Sequence, residues 1–386
     1  MSSRSSWVYN VKGKSQIMNL KARSLIIIVL INLFSSFSSQ AQTKEKVLLH
    51  ESCQSNSSIT SELNEAQYVL IGGVPQWITI KGKDCSNPIV LMVHGGPGIP
   101  LSKYHDSLFH DFEENFTIVH WDQRGAGRTY LAQLESEELT LDMITNNTLS
   151  VDLLVKDGLE VSDYIRKKLG REKIIISGSS WGSFLATKMV HEAPSKFYFY
   201  VGLSQLVSGS KNYTESYKKV KAMALDRGDK AALHILNKMG PPSWSHPSSF
   251  GKLRRIIRKY ENESTSNPVE WKVSEEYVSK FSGSRYDMFS EEFSFLKYIG
   301  LNDDGMINDV ALDECCTNLR IPIYIIQGQK DLLTVPEVTK EFFDEIKASD
   351  KEYIPIENSG HDANIDMLRM QLDILKAGTA KYIKKE

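Results

Sequence analysis

Near the middle of the chain stands Ile174-Ile175-Ile176-Ser177-Gly178-Ser179-Ser180-Trp181-Gly182, a short apolar run followed by the pattern G-x-S-x-G. A buried strand that runs into this pattern and on into a helix is typical of a turn that presents a nucleophilic serine. Gly178 and Gly182 would let neighbouring backbone pass close to the turn. The order predicts that Ser180 lies at the carboxyl end of the strand, facing the N-terminal amides of a helix from about Ser183. A serine-rich surface turn is the alternative. Residues elsewhere in the chain are needed to distinguish it from a nucleophile turn.

The composition is that of a soluble globular protein. The 386 residues, of which 41% are apolar and 24% charged, suffice for one large domain or two ordinary ones. A net charge of −2 provides no basic surface for nucleic acid. Since no spacing of cysteine and histidine is typical of a metal site, we expect neither a metal nor another cofactor. The expected partner is a small substrate.

The N-terminus has the pattern of a secretory signal peptide. Basic residues precede the apolar run Leu25–Phe34, and small residues then lead to a cleavage site after Ala41. Residues 1–42 are therefore predicted to be a signal peptide, with Met18 as a possible true start. The protein is expected to be periplasmic or secreted, without stable membrane association after cleavage. An uncleaved N-terminal membrane anchor is the alternative, and the oligomeric state stays open.

Export would place the four cysteines in an oxidising compartment. A bridge between Cys53 and Cys85 is plausible, although sequence alone cannot assign it. Neighbouring cysteines such as Cys315 and Cys316 rarely bond to each other. We therefore expect ordinary thiols with at most one bridge.

Strand and helix patterns alternate along most of the chain, which indicates a doubly wound, mostly parallel sheet. Residues 43–205 and 311–386 are predicted to form this catalytic domain, and residues 206–310 an inserted helical segment, here called the cap. The expected strands are Gln76–Ile80, Pro88–Val93, Phe116–Trp121, Ile174–Ser177, Phe197–Leu203, Ile321–Ile326 and Lys351–Ile356. The expected helices outside the cap are Leu149–Leu169, Val335–Ile346 and Ile365–Tyr382.

A serine hydroxyl needs a base within hydrogen-bond reach, and that base needs an acid to orient it. Asp331 and His361 follow two late strands and would share the sheet edge of Ser180. The order serine, acid, histidine is that of the α/β-hydrolase fold. Ser180, Asp331 and His361 are therefore the predicted catalytic residues. His94 and His120 precede the serine and fit that order less well.

A glycine-rich turn follows the strand that ends at Val93. His94-Gly95-Gly96-Pro97-Gly98 would bring backbone N–H groups to a substrate oxygen on which negative charge develops. The predicted oxyanion hole takes one donor from Gly95 or Gly96 and one from Trp181. A generic turn is the alternative.

Three motifs together resemble the proline iminopeptidase branch of the α/β-hydrolases. They are the turn at 94–98, Trp121-Asp122-Gln123-Arg124-Gly125-Ala126-Gly127 and the serine motif at 178–183. Gly328-x-x-Asp331 and Gly360-His361 match the acid and histidine positions of that family. The resemblance implies a metal-free acyl-enzyme mechanism that releases an N-terminal residue, typically proline, from short peptides.

Aminopeptidase action also requires carboxylates that hold the free ammonium of the substrate, because an unpaired charge in a closed pocket is costly. Glu215, early in the cap, is the best candidate, and Glu270, Glu275 and Glu276 are other places to search. An esterase or amidase for small apolar substrates is the second hypothesis. A non-catalytic binding protein is the third, which a complete catalytic set disfavours.

Overall fold

The computed structural model describes residues 61–133, 148–241, 247–280, 284–302 and 304–383. The predicted signal peptide and Cys53 lie outside these residues.

The described residues form one eight-stranded sheet with the strand order β1-β2-β4-β3-β5-β6-β7-β8. β1 pairs antiparallel with β2, and β2 antiparallel with β4, whereas the other neighbours are parallel. The strands are β1 Leu63–Ile71, β2 Val74–Gly82, β3 Ile89–Val93, β4 Thr117–Trp121, β5 Ile174–Ser179, β6 Phe197–Leu203, β7 Ile323–Gly328 and β8 Lys351–Ile356.

Helices cover the sheet and fill the cap. Outside the cap they are α1 His105–Leu108, α2 Gly127–Leu131, α3 Val151–Lys168, α4 Trp181–Glu192, α10 Leu312–Cys315, α11 Pro336–Glu345 and α12 Ile365–Tyr382. In the cap they are α5 Gly209–Asp226, α6 Lys230–Met239, α7 Pro247–Ser264, α8 Glu275–Lys280 and α9 Ser284–Ile299. None of these helices is long and apolar enough to cross a membrane.

The central strands are apolar on both faces because helices pack on both sides of the sheet. β3 and β4 are buried throughout, as are all residues of β5 except the last. The register aligns Val93 with Gly178, Ser179 with Leu203, and Gly328 with Ile356. The loops that follow β3, β5, β7 and β8 therefore meet at one edge, and the predicted α/β-hydrolase fold is confirmed.

The cap leaves and rejoins the sheet domain at one place, here called the neck. Ser208 and Ala311 pair as an antiparallel bridge. The amide of Gly209 donates to the carbonyl of Val310 at 2.8 Å. The cap also has apolar packing of its own, which includes Tyr213, Tyr217, Val220, Leu236, Leu253, Ile257 and Tyr260. The division of the chain into a catalytic domain and a cap stays a prediction.

The expectation for the vicinal cysteines is wrong, because Cys315 and Cys316 form a disulfide with each other. The chain leaves α10 at this point, where Cys316 adopts φ −129° and ψ 35°, and the two Cα atoms lie 3.8 Å apart. This exit from helical geometry allows both sulfurs to meet. Cys85 is also disulfide-bonded, so it is not a free thiol.

Candidate active site

Ser180 lies in a tight turn between β5 and α4. Its backbone adopts φ 52° and ψ −122°, a conformation that residues other than glycine rarely take. A Cβ atom on Gly178 would lie 2.3 Å from the carbonyl oxygen of Gly182, and one on Gly182 would lie 2.0 Å from that of Val93. Both flanking positions therefore need glycine, as the sequence motif indicated.

His361 reaches Ser180 from the loop after β8. Its Nε2 lies 2.9 Å from Ser180 Oγ, and its Nδ1 lies 3.1 Å from Asp331 Oδ2. Ser204 Oγ donates to the carbonyl of His361 at 2.7 Å and so fixes the backbone of this loop. Because Asp331 is acceptor-only when ionised, Nδ1 carries the proton and Nε2 is left to accept from the serine hydroxyl.

The carboxylate of Asp331 is fully buried and held from several sides. The amides of Leu333 and Thr334 each donate to Oδ1 at 2.8 Å. Oδ2 accepts from Thr334 Oγ1 at 2.6 Å and from Gln327 Nε2 at 3.0 Å. These donors fix the plane of the carboxylate, and with it the direction in which His361 is held.

Asp331 and His361 shift each other's protonation. Burial would raise the pKa of Asp331, but the charge of His361 and the hydrogen bonds lower it below its usual value. Burial would lower the pKa of His361, but the charge of Asp331 and its hydrogen bond raise it above its usual value. The pair therefore favours an ionised acid beside a more basic imidazole.

Gly95 packs directly against the serine turn. A Cβ atom there would lie 2.8 Å from the carbonyl oxygen of Ser179 and 3.2 Å from Ser180 Cβ. Within the described residues, the amide N–H groups of Gly95, Gly96 and Trp181 have no backbone acceptor. The structure therefore packs Gly95 against Ser180, and the backbone donors of the three predicted oxyanion residues are unused.

Gln123 joins the two loops that flank the serine. Its side-chain nitrogen donates to the carbonyl of His94 at 2.8 Å, and its oxygen accepts from Trp181 Nε1 at 3.1 Å. Burial lowers the pKa of His94 to about 4, so this histidine is neutral and part of the scaffold. Arg124 likewise supports the loop, through two hydrogen bonds to Asp157 at 2.8 and 3.1 Å.

A cavity of about 560 Å³ lies over Ser180, between the sheet edge and the cap. Its volume falls in the range of small-molecule sites. The sheet side contributes Gly95, Gly96, Ser180, Leu203, Leu333 and His361. The cap side contributes Phe250, Arg254, Arg255, Arg258, Trp271, Glu291 and Phe295.

The structure does not bring Glu215, the predicted substrate-binding residue, to the cavity over Ser180. The side chain of Glu215 is 42% exposed and pairs with Lys218 at 2.7 Å on the outer face of α5. It lines a different surface depression, beside Glu337 and Glu341. The helix turns this position away from Ser180, and sequence position within the cap could not reveal that rotation. Glu270, Glu275 and Glu276 do not line the cavity either.

A glutamate of the cap, Glu291 on α9, lines the cavity. It is 40% exposed and pairs at 2.7 Å with Lys103, whose side chain is only 4% exposed. The α carbon of Glu291 lies 3.2 Å from where a Cβ atom of Gly98 would stand, which places it beside the glycine-rich turn. The sequence reasoning missed this residue, since the pattern of α9 gives no sign of which face meets the cavity.

Glu261 on α7 is a second carboxyl group that the sequence reasoning missed. It accepts from the amide of Leu332 at 2.7 Å, next to Asp331, and is almost fully buried. Burial, and then the charge of Asp331, raise its pKa to about 7. Glu261 thus connects the cap to the loop that holds the acid.

The chain belongs to the α/β-hydrolase fold family, whose model matches residues 88–367. A probable aminopeptidase of Bacillus subtilis, YbaC, is 26% identical over 302 residues, which are 77% of this chain and 90% of that relative. The proline iminopeptidase of Lactobacillus crispatus is 24% identical, over 78% of this chain and 95% of the relative. These relatives confirm the resemblance to proline iminopeptidases that the motifs indicated.

A solved structure shares the fold. The crystal structure of proline iminopeptidase from Mycobacterium smegmatis superposes with a TM-score of 0.58 at 17% identity. The match covers 82% of this chain and 98% of the other.

Proposed function

We propose that this protein is an exported serine hydrolase that releases an N-terminal residue from short peptides through an acyl-enzyme. The observation that carries the proposal is the series of hydrogen bonds from Ser180 through His361 to Asp331, at a cavity of about 560 Å³. This arrangement is what makes a serine hydroxyl nucleophilic.

In the proposed first step, Ser180 Oγ bonds to the substrate carbonyl carbon while His361 Nε2 takes the hydroxyl proton. The negative charge on the carbonyl oxygen is stabilised by the free amides of Trp181 and of Gly95 or Gly96. His361 then gives the proton to the departing amine as the carbon–nitrogen bond breaks. A water attacks the acyl-enzyme by the same route, which releases the acid and restores Ser180.

The aminopeptidase part of the proposal is supported by the relatives named above and by Glu291. This carboxylate is the cap glutamate beside the glycine-rich turn, the side on which the acyl group would sit. It could receive the ammonium of an N-terminal residue. Export is proposed from the signal-peptide pattern, and a secreted mature chain that begins at Gln42 would support it.

An esterase or amidase for small substrates is the second candidate, and one observation favours it. Glu291 already pairs with the buried Lys103 at 2.7 Å, so a substrate ammonium would have to share this carboxylate with Lys103. A substrate that lacks the ammonium avoids that competition.

A substrate panel and a labelling experiment test both candidates. We expect a fluorophosphonate to label the protein on Ser180 and the Ser180→Ala variant to stay unlabelled and inactive. We expect prolyl-arylamides to be cleaved and their N-acetylated forms to be resistant. Cleavage of short acyl esters only, with N-acetylation having no effect, would rule out the aminopeptidase and leave the esterase.

A further inference from the structure

One face of α7 presents basic residues to the cavity over Ser180. Arg254, Arg255 and Arg258 all line the cavity. Arg254 and Arg258 are four residues apart and so neighbours on one helix face, on which Phe250 and Glu261 also lie. A site expected to hold a substrate ammonium thus has a wall of guanidinium groups, which repel cations.

The acids of the cavity do not neutralise this wall. Lys103 already balances Glu291 at 2.7 Å, and Arg254 Nη2 balances Asp362 Oδ1 at 3.3 Å. Asp362 is the acid that faces two of these guanidinium groups, since the charges of Arg254 and Arg258 both lower its pKa against the effect of burial. Arg254 Nη1 is buried and has no hydrogen-bond acceptor within that same part of the chain. The cavity therefore carries an excess of positive charge that an anionic ligand would offset.

The position of these arginines relative to the reacting atoms identifies the part of the substrate they face. Asp362, the partner of Arg254, directly follows His361, whose Nε2 lies 2.9 Å from Ser180 Oγ. His361 gives its proton to the leaving group, so the leaving group departs on this side. Glu291 stands against Gly98, near the oxyanion amides and the acyl side.

We propose that the substrate's leaving group carries a carboxylate, which Arg254 and Arg258 hold while Glu291 faces the acyl group. The inference rests on the proposed function, and it narrows the substrate to very short peptides with a free C-terminus. A guanidinium matches the geometry of a carboxylate and can donate two parallel hydrogen bonds to it. In a dipeptide the carboxylate and the scissile bond are close enough to occupy one small cavity together.

The test compares prolylglycine with prolylglycine amide, which differ only in the terminal charge. We expect kcat/KM for the acid to exceed that for the amide by about tenfold or more, since hydrogen bonds to charged groups are the stronger ones. Prolylglutamic acid α-amide, whose only carboxylate is on the side chain, distinguishes a side-chain source of the anion from a C-terminal one.

Substitutions test whether the arginines cause the preference for the free carboxylate. Arg258→Gln and Arg254→Gln are expected to bring the ratio of kcat/KM for the acid to that for the amide close to one. Arg258 is exposed, so its variant is not expected to affect folding even if loss of the half-buried Arg254 does. Arg227→Gln removes the same charge from a cap residue that pairs with Glu263 instead, and it should leave the ratio unchanged.

A second readout does not depend on turnover. N-acetylprolylglycine should slow fluorophosphonate labelling of Ser180 more than its amide does, and Arg258→Gln should remove the difference. The proposal would be overturned if the unmodified protein cleaved prolylglycine and its amide equally well and both N-acetyl compounds slowed labelling equally. A preference for the acid that survives both arginine substitutions would also overturn it. If no substrate with a free amine is cleaved, the aminopeptidase proposal fails, whereas labelling still decides the anionic site.

Discussion

The two walls of the cavity are built differently. The sheet wall consists of loop residues at the ends of parallel strands, where Ser180, His361 and Asp331 are fixed by backbone register and by hydrogen bonds of 2.6–3.2 Å. The cap wall consists of long side chains on helices, such as Arg258 on α7 and Glu291 on α9. In the proposed function the first wall supplies the chemistry, and the second wall determines which molecule is presented to it.

The largest expected effect falls on the sheet wall. Asp331→Asn should lower kcat by about 10³–10⁴-fold, because an amide in place of the acid favours the wrong imidazole tautomer. The ratio of kcat/KM for prolylglycine and its amide should stay as in the unmodified protein. Steady-state kinetics with both substrates measures the two effects. A loss below tenfold would contradict the role assigned to Asp331.

An intermediate effect is expected where the two walls touch, at Glu261. Its pKa of about 7 lies above the usual 4.5, so the folded protein retains this proton between those pH values and the unfolded chain does not. The stability that the neutral carboxyl group of Glu261 contributes to the folded protein therefore falls as pH rises through this window, by up to about 3 kcal/mol. Glu261→Gln keeps an acceptor for Leu332 and should remove that fall.

Urea unfolding of both proteins from pH 5 to pH 8 measures this difference. The unmodified protein should lose stability relative to the variant as pH rises. If the free energy of unfolding changed with pH in the same way in both proteins, the carboxyl group of Glu261 would be ionised in the folded state throughout the range.

The smallest expected effect separates two glutamates of the cap wall. Glu291→Gln should raise KM for prolyl-arylamides by about tenfold, since a charge-assisted hydrogen bond to the ammonium is lost. The variant should hydrolyse short acyl esters at a rate within about twofold of that of the unmodified protein, because these substrates carry no ammonium. Glu215→Gln, on the outer face of α5, is the matched control and should change neither substrate. Equal KM values for Glu291→Gln and Glu215→Gln would contradict the role assigned to Glu291.

The same contrast explains what the sequence could predict. β8 and α12 have the predicted bounds, Lys351–Ile356 and Ile365–Tyr382, because an apolar run and a helical period are local signals. Gly178 is equally local, since its close contact with Gly182 lies within the turn, whereas Gly182 is required by the approach of Val93 in the neighbouring strand. The sequence does not predict β1, because this edge strand is largely half-exposed and its first half, Leu63–Gln67, is mostly polar.

The cap wall was harder to predict. The side chain that meets the cavity depends on how each helix is rotated and packed, and helical periodicity alone does not choose between faces. The sequence therefore points to Glu215, whereas the structure places Glu291 at the cavity. Two signals were available nonetheless: the spacing of Arg254 and Arg258 on one helix face, and Thr334 three residues after Asp331, from where it donates to that acid.

The neck at Ser208 and Ala311 has a consequence for how such an enzyme can diversify. The chain departs and returns across a single pair of bridged residues, so replacing everything between them leaves the strand register of the sheet untouched. A new lid can therefore enter as one segment, provided that it again supplies an acceptor for the amide of Leu332 beside Asp331.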